Sequence, residues 1–389
     1  MDVLFASPVL PWPLDSGGRI RTYHLARNAA RECRVHLRCV LADGQDRADV
    51  RHLAPWCASV ELFERSEPGP LRTLARAKIE RWFHSTALHA RLREECASGR
   101  YALLHVDELL LARAVDARPA IPVVQHHHKL DADLFASTTG GRGPQRHFDL
   151  WKLRRLERAS LARTRQHVFC SADDRASFEQ RNGPTQAAIV ANGYDPEHFG
   201  APRAERATRE PERLLFVGSL SYEPNVNACA RFVDDVLPRL VARRPRLVLD
   251  IVGRAPAPAV RALAGPNVAI HADVPDVVPF LERCAVFVVP LRIGGGTRLK
   301  IPEALALAAP VVSTSIGAQG LDLVHGEHLL LADTGAALGD AIESLLADPA
   351  RAAALGAAGR AHVERHYAWP QLAQQLVAFW RATAAAAPR

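Results

Sequence analysis

Short runs of β-branched and apolar residues alternate with longer amphipathic runs along the whole chain, and they do so in two successive series. The first series of strand candidates is DVLFASP (2–8), RVHLRCV (34–40), VELF (60–63), ALLHVD (102–107), PVVQH (122–126), HVFCS (167–171) and AIVANG (188–193). The second is LLFVGSL (214–220), LVLDIVG (247–253), VAIHADV (268–274), VFVVPL (286–291), PVVSTS (310–315) and HLLLAD (328–333). Such runs separated by helix-length segments are the pattern of parallel α/β sheets, because a parallel connection needs a crossover helix. Helices are expected over residues 19–31 and 149–163, among others. The 389 residues exceed what one hydrophobic core holds. Two doubly wound domains are therefore expected, joined through the proline- and charge-rich stretch PEHFGAPRAERATREPER (196–213), which reads as a linker.

Several function classes are excluded early. No apolar run approaches the ~20 residues needed to span a bilayer, and the N-terminus lacks the pattern of a signal peptide. The expected location is cytoplasmic, with peripheral contact at the inner membrane face left open. Seven cysteines without a C-x-x-C pair fit reduced thiols rather than a disulfide framework or a zinc site. A formal net charge of +7 suits anionic substrates or an acidic membrane surface and is too diffuse for nucleic acid. The chain has no G-x-x-x-x-G-K-[ST], no G-x-S-x-G and no H-E-x-x-H.

In open parallel sheets, ligands bind beyond the carboxyl ends of the strands, so the loops there carry the information. After the first strand comes LPWPLDSGGRIRTYHLA, where Gly17 and Gly18 permit close approach of a ligand and Arg19 opens a helix. It is not a dinucleotide fingerprint. After the fifth strand candidate comes QHHHKLDADLF; three adjacent histidines lack metal-site spacing, and one of them at a strand end is a cleft candidate. In the second series, VGSLSYEPNVNA contains Ser219 and Asn225, with Asn225 either donating to a ligand or capping the helix. Gly253 and Arg254 in GRAPAPAV, and Val274 in HADVPDVVPF, lie on loops able to wall a base pocket with backbone groups.

RIGGGTRLKIPEALA (292–306) joins Gly294, Gly295, Gly296 and Thr297 to Arg298, Lys300 and Glu303. With a helix starting near Thr297, Arg298 and Lys300 occupy its first turn, where cations oppose the helix dipole unless a polyanion sits there. Glu303, about a turn deeper, is placed to accept bonds from sugar hydroxyls or simply to be solvated. The basic segment 146–166 spaces Leu150, Leu153, Leu156 and Leu161 like an amphipathic helix packing inward. Docking on an anionic membrane face is its second reading.

Taken in order, FVGSLSYEPNVNA, LDIVGRAP, FVVPLRIGGGTRLKIPEALALAAPVVSTSIGAQGL and GEHLLLADT resemble the donor domain of a GT-B fold glycosyltransferase of family 4, glycosyl transferases group 1, in a GGGTRLK variant. LPWPLDSGGRIRTYHLA strengthens the resemblance at the N-terminus. It implies two Rossmann-like domains facing across a cleft. Residues 1–200, with a C-terminal helix returning over about 371–389, would bind the acceptor, and 201–370 the nucleotide-sugar donor. It implies a retaining, metal-independent transfer of sugar from a UDP- or GDP-sugar to an acceptor hydroxyl, with no further cofactor. Lipid, polysaccharide, natural-product and protein acceptors all stay open. Arg298 and Lys300 would stabilise the diphosphate, Glu303 would hold the ribose as the second glutamate of E-x7-E, and Gly17 and Gly18 would approach the donor. A histidine of 126–128 matches the cleft histidine, with His127 chosen. The chain departs from the family at Gly295, where the first glutamate is expected, and at Ser219, where an arginine is usual. A nucleotide-sugar epimerase or hydrolase, or a non-catalytic binder, are the alternatives.

Overall fold

The computed structural model describes residues 1–69, 76–138, 143–200 and 209–386. The chain divides into two compact units, Met1–Ala191 with Trp369–Arg389, and Asn192–Ala368. The break thus falls at Ala191/Asn192 rather than at residue 200. Of the expected linker, 201–208 lie outside the described residues, Pro196–Phe199 form a short helix, and Glu210 onward is already strand.

Unit 1 is built on β1 (Asp2–Ser7), β2 (Arg34–Leu41), β3 (Ser59–Glu64), β4 (Leu103–Asp107), β5 (Val123–His127), β6 (Gln166–Phe169) and β7 (Gln186–Ile189). They form one sheet in the order β3-β2-β1-β4-β5-β6-β7, with parallel pairs throughout. Every residue of β4 and β5 is buried, whereas the edge strands β3 and β7 are mostly half-exposed. Burial on both faces explains why these central strands show no regular polar alternation, and it takes in the polar His105, Asp107, Gln125, His126 and His127. The chain order reverses direction across the sheet between β1 and β4, so the loops after these two strands diverge and leave a crevice. Register keeps the carboxyl ends level, with Ala6 opposite Val106 and Asp107 opposite His126.

The helix Gly17–Ala29 follows β1, and the helix Trp369–Ala385 packs against it and against β4 and β7. Buried Trp369, Leu372, Ala373, Leu376, Val377 and Trp380 recur at helical spacing, which gives the C-terminal helix one apolar stripe. Trp369 stacks on His24 with the rings 4° from parallel. Trp380 stands edge-on to Phe5, and its indole N–H donates to His105 Nδ1 at 3.1 Å. The helix therefore closes the core of unit 1 although it is the last element in sequence.

Unit 2 holds β8 (Glu210–Val217), β9 (Val248–Gly253), β10 (Val268–Ala272), β11 (Cys284–Val289), β12 (Val311–Ser313) and β13 (Leu330–Leu331), in the order β10-β9-β8-β11-β12-β13 and again parallel. Its direction reversal lies between β8 and β11. The helix Pro349–His366 packs closely on Lys300–Ala306, and the approach depends on Gly356, where a Cβ would lie 2.2 Å from the Ala308 carbonyl oxygen.

The seven cysteines are free thiols; all are buried except Cys57, which is half-buried. Leu153 and Leu156 of the helix Pro144–Leu161 are buried while Phe148 and Trp151 are exposed, as the amphipathic reading requires. Trp380→Ala should cost about 3–5 kcal/mol, the range for truncating a fully buried aromatic side chain. Chemical denaturation should show it as a lower midpoint for the transition of unit 1.

Candidate functional site

The crevice of unit 1 is lined by the start of the helix Gly17–Ala29 and by the residues that end β4 and β5. The helix begins at Gly17, not at Arg19, and its first ladder bond runs from Ile20 N–H to Ser16 O. The amides of Gly17, Gly18 and Arg19 consequently lie outside the helical ladder. Arg19 ties back to Asp15 at 2.8 Å, and burial lowers the pKa of its guanidinium. A Cβ at Gly18 would stand 3.5 Å from Glu108 Oε1 and 3.7 Å from His128 Nδ1, so the glycine marks the wall nearest these groups.

Asp107, the last residue of β4, is the centre of a buried polar network. Its Oδ1 accepts from His128 Nε2 at 2.8 Å and lies 3.1 Å from His126 Nδ1; its Oδ2 accepts from Thr22 at 2.5 Å. Burial alone would raise this carboxyl, but the charge on His128 and the histidine hydrogen bonds hold it well below the carboxylate range. Burial likewise works against the charge on His128, and the Asp107 and Glu108 carboxylates overcome it, raising the imidazole to about 9. Glu108 adopts φ 66°, a conformation that β-carbons disfavour, and its carboxylate sits 3.1 Å from His128 Nδ1. Burial opposes its ionisation too, but Lys129 and His128 lower it to about 2. The crevice thus presents an imidazolium flanked by two carboxylates.

His127, the histidine expected at the site, is not there. Side chains alternate across a strand, so His126, and His128 one residue past β5, turn to the side of Asp107 while His127 takes the other. Its ring stacks on Phe169 and His167 and its pKa is pulled well down by burial. His128 is the histidine at the crevice.

His105, Asp107 and His126 bring three metal-ligand-type atoms within 4.8 Å of one another. Their hydrogen bonds argue against coordination. Trp380 Nε1 and the Arg21 guanidinium can only donate, and they donate to His105 Nδ1 and His126 Nε2. Burial lowers both imidazoles and keeps them neutral. The remaining nitrogens already engage protein groups: His126 Nδ1 lies 3.1 Å from Asp107 Oδ1 and 3.2 Å from His105 Nε2.

In unit 2 the loops after β8, β9 and β10 are laced together by backbone bonds. Leu220 N–H donates to Arg254 O at 2.9 Å and Asp273 N–H to Gly253 O at 2.9 Å. Gly253 must be glycine, because a Cβ would lie 1.7 Å from the Gly218 carbonyl oxygen. Ser219 and Arg254 are exposed at the rim and Val274 is half-buried just past Asp273.

The loop after β11 runs through Gly294, Gly295 and Gly296 to Thr297. The helix that follows is Lys300–Ala306, so it starts three residues later than expected and Arg298 precedes it. Of the two cations, only Lys300 therefore lies in a helical first turn. Arg298 folds back over its own loop, donating to Gly295 O at 2.6 Å and Gly296 O at 2.7 Å. Thr297 is pinned from both sides by Asn192, whose N–H donates to Thr297 Oγ1 at 3.1 Å and whose Nδ2 donates to Thr297 O at 2.8 Å.

Lys300 reaches under the end of β8. Its Nζ donates to Asn225 Oδ1 at 3.1 Å, lies 4.3 Å from the centre of the Phe216 ring, and would be 2.9 Å from a Cβ on Gly218. Asn225 passes its own Nδ2 hydrogen to Ser219 O at 2.9 Å, which makes it a link between lysine and loop rather than a helix cap. Among the described residues Lys300 has no ion-pair partner. Burial, reinforced by the Arg298 charge, lowers it to about 7. Burial raises Glu303 to about 7 against the pull of Lys300. The result is a buried amine beneath Gly218, held by one side-chain hydrogen bond to Asn225, with Glu303 the nearest carboxyl to influence it.

Sequence reasoning missed Asp107, Glu108, Arg21 and Asn192. The signal for the first two was present: ALLHVDEL is an apolar strand ending in adjacent carboxylates. Its position beside β1 was not. The pairing of His128 with Asp107 predicts a histidine NMR resonance titrating near pH 9 that moves to lower pH in Asp107→Asn. Because the folded-state pKa of His128 is raised, its contribution to stability is complete below the unfolded value near 6.5 and is lost as pH rises through about 9. Denaturation midpoints measured across that window should fall in the wild type and stay flatter in Asp107→Asn.

Two family descriptions match the chain, Glycosyltransferase Family 4 over residues 16–198 and Glycosyl transferases group 1 over 211–348. The phosphatidyl-myo-inositol mannosyltransferase of Mycobacterium tuberculosis is 25% identical over 396 residues, covering 97% of this chain and 96% of that protein. The glycogen synthase of the same organism is 26% identical and covers 71% of this chain and 67% of its own length. Among solved structures, the sucrose-phosphate synthase of Thermosynechococcus elongatus superposes with a TM-score of 0.72 at 19% identity, over 100% of both chains. Anabaena Alr3699/HepE in complex with UDP-glucose superposes with a TM-score of 0.69 at 17% identity, over 98% of this chain and 100% of that one. The two parallel sheets and these matches together place the chain in glycosyltransferase family 4, with the GT-B fold.

Proposed function

We propose that the protein moves a sugar from a UDP- or GDP-linked donor to an acceptor hydroxyl, with retention at the anomeric carbon and without an obligatory metal ion. The observation that carries this reading is buried Lys300 beneath Gly218, with no carboxylate within ion-pair distance among the described residues, on the same loop-to-helix segment as Arg298, which lies against Gly294. A buried cation is costly unless compensated, and a diphosphate is the compensation that this backbone-walled space admits. As the sugar–phosphate bond breaks, negative charge grows on the leaving diphosphate. Lys300, and Arg298 once released from its loop carbonyls, supply positive charge where a divalent cation would otherwise act. Glu303, in this reading, accepts from the ribose hydroxyls, and the loops holding Gly253, Arg254 and Val274 wall the base. The crevice of unit 1 takes the acceptor, with His128 as a charged donor to an acceptor oxygen rather than a base at neutral pH.

The relatives support a nucleotide-sugar donor without deciding the base. A structural neighbour is held with UDP-glucose, and a relative 29% identical over 61% of this chain is named for GDP-mannose. Their names span lipid and polysaccharide acceptors, and the acceptor class of this chain stays open. The location is proposed as cytoplasmic, with peripheral contact through the basic face of unit 1. No helix of the described residues is long and apolar enough to cross a membrane.

Thermal-shift measurements against UDP- and GDP-sugars should show a rise in midpoint for one base, since a ligand of the native state stabilises by mass action. Arg298→Ala and Glu303→Ala should each abolish transfer while the protein stays folded; retained transfer in both removes the site assignment. Nucleotide affinity should fall as pH rises through about 7, by up to about tenfold per pH unit, because the diphosphate favours charged Lys300. Ionised Glu303 opposes this trend, so Glu303→Gln should steepen it and Lys300→Gln should remove it. Gly295, in place of the family's glutamate, favours a second reading, a binder that has lost turnover; calorimetric donor binding without transfer to a broad acceptor panel would establish it.

A further inference from the structure

At the opposite end of the unit 1 sheet, where the chain enters β5 and β6, lies a surface cavity of about 400 Å³. Arg76, Arg93, Arg113, Arg155 and Arg163 line it, with His89 and Asp116. These residues arrive from separate parts of the chain: the helix Thr86–Ala97, the loop before β5, the helix Pro144–Leu161 and the turn before β6. Two carboxylates answer the five guanidinium groups. Asp116 pairs with Arg93 at 3.1 Å, and buried Glu80 lies 3.2 Å from Arg113 and 3.6 Å from Arg76. Arg163 bonds to the carbonyls of Val115 and Ala159, which orients it without neutralising it. Burial and the nearby Arg113 charge lower its pKa. Arg155 lies over the Trp151 ring at 5.4 Å.

We propose that this cavity is a second anion site, distinct from the glycine-walled pocket of unit 2, and that its ligand carries a phosphate group. Like charges gathered in a concavity raise the local potential and cost stability unless an anion relieves them. Guanidinium groups, with paired donors in fixed planes, match phosphate oxygens better than ammonium groups do. The volume exceeds that of one phosphate and admits a phosphomonoester or diphosphate with an attached group. The source is either a soluble phosphate compound or a lipid headgroup. Exposed Phe148 and Trp151 stack 5.6 Å apart on the helix that supplies Arg155, with Lys152 over Phe148 at 4.3 Å, and such aromatic–cation pairs suit a headgroup boundary.

The test compares Arg93→Gln/Arg155→Gln with Arg154→Gln/Arg158→Gln. All four side chains are exposed and both variants lose two positive charges, but only the first pair lines the cavity. Pyrophosphate is titrated calorimetrically, and sedimentation with phosphatidylglycerol or phosphatidylcholine vesicles forms the second arm. Thermal midpoints confirm folding. The cavity variant should weaken pyrophosphate binding about tenfold or more, equivalent to about 1.4 kcal/mol, with the charge-matched variant unchanged. That outcome assigns a soluble ligand. Selective loss of phosphatidylglycerol binding, with no pyrophosphate response, assigns a lipid headgroup. Equal behaviour of the two variants in both arms, or of the cavity variant and wild type in both, overturns the proposal. Glycosyl transfer is read separately, because neither variant touches the residues assigned to the donor.

Discussion

The hydrogen bonds converging on Asp107 join the elements that define unit 1. Through His126 and His128 the carboxylate at the end of β4 reaches β5 and the loop after it, and through Thr22 the helix after β1. Arg21 carries the network on to the carbonyls at the end of β7, and Trp380 carries it to the C-terminal helix. A buried carboxylate is tolerated only when its oxygens are satisfied. Here the same bonds that satisfy it also select the histidine tautomers and hold His128 charged at the crevice. Structural and chemical roles are thus shared by one cluster.

In the proposed reading, unit 2 brings backbone close to a polyanion while keeping cations nearby. Gly253 and Gly218 permit strand ends to approach beyond the reach of any side-chain-bearing residue. Asn225 then holds Lys300 in the space, and Asn192 pins the loop that ends in Arg298. In the free protein Arg298 donates to its own loop carbonyls. If Arg298 takes the diphosphate as proposed, it exchanges these loop contacts for ligand contacts, whereas Lys300 gives up one neutral acceptor.

Much of this architecture was legible in the chain. All thirteen strands were marked by apolar runs, since parallel strands buried on both faces need no polar alternation. Their edges were less clear. β8 begins at Glu210 inside a stretch whose charge and proline content resemble a linker, and β7 ends before the polar tail of AIVANG. Local composition reports solvent exposure, and an edge or terminal residue of a strand is exposed like a loop. The late start of the helix Lys300–Ala306 was not legible either, because Thr297 and Arg298 are acceptable helix residues and their bonds to Asn192 and to the glycine loop exist only in the folded chain.

The sequence alone determined two parallel α/β units, a glycine-rich loop followed by two cations and a glutamate, and a histidine at the end of a strand. These are local properties: periodicity, backbone freedom and side-chain chemistry. Which histidine faces the crevice was decided by the pleat of β5, since a one-residue change of register reverses the face. The partners of that histidine were decided by strand order, which sets β4 beside both β1 and β5. The closing helix over unit 1 was decided by packing of Trp369 and Trp380 against residues more than two hundred positions earlier. Such pairings join segments remote in the chain, and their energy exists only once the folded core brings them together.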